Sequence, residues 1–199
     1  MRTKKGIYPF LKWLVLGPAR PVHWVRAVMD EETARLVRAL DPATLDALEI
    51  SGDKWRHFGF RSYTDVHYPD FDICSPPTVT RQYDIVILEQ VLEHTLTPVR
   101  ALRATFDLLK PGGYCLITTP FLIRVHEGPD DCTRWTETGM RHFMAESGYP
   151  IEQTVTGSWG NRAAAITNLY RFVAFRPRFH SLRNDPRYPC SVWALARKP

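Results

Sequence analysis

Residues 83–120 read YDIVILEQVLEHTLTPVRALRATFDLLKPGGYCLITTP, and no other stretch restricts the fold so strongly. Its ends, 84–88 (DIVIL) and 114–119 (YCLITT), are short β-branched and apolar runs without a helical period, as in strands buried on both faces. Between them Thr97-Pro98 is a cap followed by proline at the first helical position, and Val99, Leu102, Phe106 and Leu109 recur at helical spacing. Lys110-Pro111-Gly112-Gly113 stops that helix, since proline cannot donate and glycine disfavours helical backbone. Strand, helix and strand in so short a span make a parallel pair joined by a helical crossover.

The rest of the chain repeats the alternation. Residues 30–40 read as a helix, with Asp30 as cap, Glu31 and Glu32 in the first turn, and Leu36, Val37 and Leu40 on one side; Asp41-Pro42 ends it. Residues 45–50 are a buried strand running into the Ser51-Gly52 turn, and 62–66 are a weaker strand. A helix over 136–147 turns Met140, Phe143 and Met144 inward and stops at Gly148, and 192–196 form a last strand. The Ala-rich 161–175 segment reads as a lid or partner-contacting helix, running into an Arg- and Pro-rich stretch with no assigned element. The expected class is α/β: a Rossmann-like, mostly parallel sheet covered by helices on both faces, with an N-terminal basic arm and helix over 1–40 and the main domain over 41–199. In such sheets ligands gather at the carboxyl ends of the strands, where the segments after Ile50, Asp65, Leu88 and Thr119 converge.

Composition excludes several classes. The chain has 199 residues, 44% of them hydrophobic and 24% charged, enough for a core and too ordinary for wholesale disorder. Cys74, Cys115, Cys132 and Cys190 lie far apart with no CxxC spacing, which argues against a zinc knuckle or disulfide framework and for a reducing, cytoplasmic compartment. Net charge is +5 and unevenly spread. Residues 1–40 carry eight Lys/Arg against three Asp/Glu, 41–159 ten against seventeen, and 160–199 eight against one. Basic ends suit phosphates, anionic lipid or the acidic middle of the same chain. The opening MRTKKGIYPFLKWLVLG imitates a signal peptide, but Pro9 and Lys12 interrupt its apolar run, and it is read as a docking arm with peripheral membrane contact as the alternative.

Glu49-Ile50-Ser51-Gly52-Asp53 sets an acid on a strand before a glycine turn, and Asp65 ends the next strand, where a carboxylate can accept both hydroxyls of a ribose. The 83–120 stretch resembles the class I S-adenosylmethionine-dependent methyltransferases, whose fourth strand, helix, LKPGG turn and fifth strand have this order and spacing. The likeness rests on Asp84, Glu89-Gln90, Leu92-Glu93-His94, Pro98 and Lys110 to Gly113, and continues through Pro120-Phe121 and Asp131-Cys132-Thr133-Arg134-Trp135-Thr136, covering about residues 43–157. It implies S-adenosyl-L-methionine as cofactor, with Glu49, Ser51 and Gly52 in the first cofactor loop, Asp65 on the ribose, Asp72 or Ile73 near adenine, and Glu89 and Gln90 bordering the methionine end and the substrate. The family's GxGxG is reduced here to one glycine, and Gly52 lies too close to Tyr63-Thr64-Asp65 for a full first helix.

Methyl transfer needs alignment of the partners and, for some nucleophiles, removal of a proton. His94, His126, Glu127, Asp130 and Asp131 are the candidate bases, His126 foremost because an imidazole titrates near neutrality. Arg134, Trp135, Trp159, Asn161 and Arg162 are candidate acceptor contacts, the aromatics by stacking and the arginines by holding an anion. The leading reading is methyl transfer to an O- or N-nucleophile of a small-molecule acceptor. An RNA- or protein-directed methyltransferase, or a catalytically inactive methyltransferase-like binding module, stands behind it. The sequence leaves the oligomeric state open.

Overall fold

A computed structural model describes residues 22–75, 81–126 and 128–199. The basic arm up to residue 21 and Glu127 lie outside the described residues. The elements are α1 (Ala27–Arg38), β1 (Asp46–Ile50), β2 (Ser62–Val66), β3 (Tyr83–Glu89), α2 (Pro98–Leu108), β4 (Leu109–Pro120), α3 (Glu137–Glu146), β5 (Thr154–Trp159), α4 (Arg162–Tyr170) and β6 (Ser191–Arg197). They build one six-stranded sheet in the order β2-β1-β3-β4-β6-β5. β1 to β4 run parallel, and β6 is antiparallel to both β4 and β5. The sheet is therefore mixed within an α/β fold. Its antiparallel edge escaped the sequence reading because β5, TVTGSW, has neither an apolar run nor a clean alternation.

Strand pleating sends alternate side chains to opposite faces. Ala47, Ile85, Ile87, Leu116 and Leu195 face one side and pack with Val37 of α1. Leu48, Val86, Leu88, Ile117 and Ala194 face the other and pack with Leu102 of α2 and Met140 and Met144 of α3. A further cluster joins Trp24, Met29, Ala164, Phe175 and Trp193. The stretch after α4 closes over it: His180 stacks on Trp24 with ring centroids 4.2 Å apart, and the Trp24 and Trp159 indoles donate to the carbonyls of Ser181 and Leu182.

Several boundaries differ from expectation. α1 starts at Ala27, so Asp30 lies in its first turn instead of capping it; a 3-10 turn with Trp24 and Val25 buried leads in. α4 stops at Tyr170 because Arg171 is extended and the following residues pair with the N-terminal segment, Trp24 donating to Val173 and Phe175 to Val22. β4 begins at Leu109, and Lys110 to Gly113 form an irregularity in the strand, the register passing from Tyr83↔Leu109 to Ile85↔Tyr114. Lys110 Nζ lies 2.9 Å from Asp84 and 3.1 Å from Asp46, and Arg61 lies 2.8 Å from Asp46, tying the amino ends of the strands together. The Arg61 bond, with help from Ser62 and Lys110, holds Asp46 well below the usual carboxylate range. Among the described residues no helix is long and apolar enough to cross a membrane.

Candidate active site

At the carboxyl ends of the parallel strands two non-glycine residues take left-handed backbone, Ser51 (φ 58°) after β1 and Gln90 (φ 57°) after β3. Such conformations are costly and persist where the surroundings enforce them. Here the Ser51 amide donates to Val66 and the Gln90 amide to Thr118, so each chain turns sharply off its strand. A crevice of about 670 Å³ opens beside these turns. Ser51, His67, Asp72, Gln90 and His94 line it with Asp130, over an apolar floor that includes Phe71, Ile73 and Val91.

Beneath the first turn, Glu49 is 1% exposed yet fully engaged: its carboxylate accepts from the amides of Lys54 (3.2 Å) and Trp55 (2.9 Å) and from the Tyr63 hydroxyl (2.6 Å). Burial and the Glu49 carboxylate push the Tyr63 hydroxyl far above its ordinary value. Glu49 thus organises the irregular 51–61 connection from within. A Cβ at Gly52 would lie 2.5 Å from Glu49 Oε1, which is why glycine follows Ser51. Glu89 is likewise occupied, accepting from Arg26, from Lys54 Nζ (2.7 Å) and from the Trp55 indole (2.7 Å). Glu49 and Glu89 are therefore loop anchors under the crevice, away from its lining. Asp65, one residue before the end of β2, is bonded to Arg56 (2.9 Å) and His67 (3.0 Å); the His67 bond leads in keeping its carboxyl below the usual value.

At the other end of the crevice the late loop meets the turn after β3. His94 is hydrogen-bonded through Nδ1 to the Asp130 carbonyl, and its ring centroid lies 5.0 Å from that of His126. Asp131 Oδ2 accepts from the His126 amide (2.9 Å) and lies 3.3 Å from His126 Nδ1. Arg134 grips both oxygens of Asp131 through its two terminal nitrogens. Burial opposes ionisation of Asp131, but Arg134 and the His126 amide outweigh it and hold the carboxyl down to about 2. Burial also lowers His126, partly offset by Asp131. Glu93 is fully buried, neither carboxylate oxygen has a hydrogen-bond partner, and desolvation pushes it up to about 8. Its backbone carbonyl takes the Cys132 amide at 2.7 Å, fastening the late loop to the turn.

The remaining sequence candidates separate. Trp135 is buried against Phe143, ring centroids 5.0 Å apart. Trp159 is buried on β5, and Asn161 caps α4 by accepting from the Ala164 amide (2.9 Å) while donating to the Ser181 and Arg183 carbonyls. The two indoles are taken up by the core, and the half-buried Asn161 borders the second concavity, so none of the three lines the crevice. Arg162 lies with Arg183 and Arg187 in a separate concavity of about 580 Å³. Sequence reasoning assigned no role to Lys54 or to the Tyr63 hydroxyl; their only signal was an acidic strand end followed by a connection too short for a helix. Cys74, Cys115, Cys132 and Cys190 are free thiols.

A crevice across the tips of a parallel sheet, bounded by such turns, is the ligand site of a doubly wound α/β protein. A family model described as a methyltransferase domain matches residues 17–162, and the chain belongs to that family, the class I S-adenosylmethionine-dependent methyltransferases. It is 50% identical over 38 residues to a ubiquinone biosynthesis O-methyltransferase of Ruegeria pomeroyi; the match spans 19% of this chain and only 15% of that relative. A SAM-dependent methyltransferase from Thermotoga maritima superposes with a TM-score of 0.57 at 12% identity, covering 97% of this chain and 96% of the other. A Haemonchus contortus N-methyltransferase, solved with phosphomonomethylethanolamine and S-adenosylhomocysteine, gives 0.54 at 12% identity over 100% of this chain and 59% of its own. At these identities the structural likeness speaks to the fold, and the enzyme class and the S-adenosylmethionine cofactor rest on the family.

Proposed function

We propose that this methyltransferase modifies an oxygen or nitrogen nucleophile of a small-molecule acceptor that enters the crevice from the His94 and His126 end. The observation that carries the reading is the crevice of about 670 Å³, within the usual ~300–1,000 Å³ of small-ligand sites, with the His94 imidazole in its lining and the His126 ring centroid 5.0 Å from that of His94. The residues present fit the cofactor: Ser51, Asp72 and Gln90 line the crevice wall, and Asp65 offers a carboxylate at the second strand tip beside the lining His67. Bound there, S-adenosylmethionine supplies a methyl group on a positively charged sulfur. Ser51, Gly52, Asp65, Asp72 and Gln90 bind and orient it, with Glu49 and Glu89 fixing the loop beneath. Asp131, clamped by Arg134, orients His126 toward the acceptor, and His94 is set by the Asp130 carbonyl.

Calorimetry with S-adenosylhomocysteine tests this directly. Asp65→Ala is expected to weaken binding more than tenfold, because a charged acceptor for the ribose is lost. Unchanged affinity would remove Asp65 from the site, and no binding by the wild type at hundreds of micromolar would retire the enzymatic reading. His126→Ala should lower turnover while cofactor affinity stays close to wild type; an unaltered rate would dismiss His126.

A further inference from the structure

We propose that Glu93, His94 and His126 form a binding site for one divalent transition-metal cation at the acceptor end of the crevice. One ligand atom from each of the three lies within 4.8 Å of the other two, and the His94 Nε2 to Glu93 Oε1 separation is 3.8 Å. Metal–ligand bonds of roughly 2.0–2.2 Å would set neighbouring donors ~3–3.5 Å apart, so a rotamer adjustment at the half-buried histidines closes the set.

Glu93 supplies an independent argument. A carboxylate with no solvent exposure and no hydrogen-bond partner on either oxygen is expensive to bury, His94 Nε2 at 3.8 Å lying beyond hydrogen-bond reach, and a cation is a partner that relieves it. The histidines are prepared in the way that metal ligands are. His94 Nδ1 faces the Asp130 carbonyl and His126 Nδ1 faces the Asp131 carboxylate, so each ring is steered to carry its proton on Nδ1 and to present Nε2 as a lone-pair donor. Arg134 anchors the Asp131 carboxylate that steers His126.

Two imidazoles and one carboxylate suit first-row divalent ions and leave coordination positions open. Because His94 lines the crevice, an ion that it holds lies at the crevice wall. Resting on the methyltransferase reading above, the site fits an acceptor whose nucleophile is a hydroxyl oxygen, since an oxygen bound to a cation ionises far more readily than a free one.

Titration calorimetry of the chelator-treated, dialysed full-length protein with MnCl2 and with ZnCl2, without cofactor or acceptor, decides the matter. One site per chain is expected, weakened at least tenfold in Glu93→Gln and in His126→Ala and unchanged in His142→Ala, an exposed histidine outside the cluster. Manganese electron paramagnetic resonance on the same samples should show the bound ion lost in the first two variants. Wild type that binds neither metal, or binding equal in His126→Ala, overturns the proposal; the exposed edge of His126 keeps this arm valid if Glu93→Gln does not fold. S-adenosylhomocysteine binding measured separately keeps the two readings apart: cofactor without metal binding sinks only the cation site, and metal without cofactor binding sinks only the methyltransferase reading.

Discussion

Glu49 shows how a residue can be conspicuous in the sequence while the partners of its side chain are not. An acid at the end of a buried strand before a glycine turn was legible as part of the cofactor loop, but the carboxylate turns inward and is consumed by two amides and a phenol. Linear sequence does not show how many donors a fold aims at one acceptor. Trp135 and Trp159 are buried for a reason the sequence does not display, since a rim aromatic and a core aromatic look alike until the packing is known. Glu93 was quoted only as part of a motif, and its lack of partners emerged with the three-dimensional neighbours. At this scale Gly52→Ala is the sharpest probe. The new methyl group must displace Glu49 Oε1 from its buried bonds, and a loss of about 1–3 kcal/mol in urea unfolding is expected. An unshifted midpoint would mean that Glu49 swings aside freely.

The long-period and short-period patterns of the elements were well marked. β2 spans 62–66 as read, and α2 begins at Pro98 as the Thr97-Pro98 pair indicated, although Thr97 makes no side-chain capping bond. The LKPGG segment was expected to stop a helix; it also carries the lysine that joins Asp46 and Asp84 at the amino ends of three strands. This ion cluster lies at the end of the sheet opposite the crevice and is therefore a stability device. The folded Asp46 carboxyl lies below its unfolded value, so its contribution is present above the ordinary carboxylate range and disappears as pH falls through the folded value. Arg61→Ala should accordingly lower the urea midpoint at neutral pH, with the gap to wild type shrinking once the pH drops below about 4. A pH-independent gap would show that Arg61 contributes packing alone.

For the whole molecule, the uneven charge seen in the sequence meets a crevice of mixed sign, lined by Asp72, Asp130 and Arg100. Much of the basic 160–199 region serves structure: Arg187 pairs with Asp185, and the 180–184 backbone receives the Trp24, Trp159 and Asn161 donors. Turnover of a small acceptor should therefore vary little with salt, whereas a nucleic-acid acceptor would be lost steeply as salt rises. Rates compared across a salt series distinguish these outcomes. The sequence by itself determined the α/β class, the parallel strands and the crossover helix, because buried strands and amphipathic helices write their periodicity into neighbouring residues. It also determined the family, through a contiguous motif. Only the tertiary structure decided that β5 and β6 turn antiparallel, that Glu49 and Glu89 face loop donors, and that Glu93, His94 and His126 converge. Those facts depend on contacts between residues distant along the chain, and local periodicity carries no record of them.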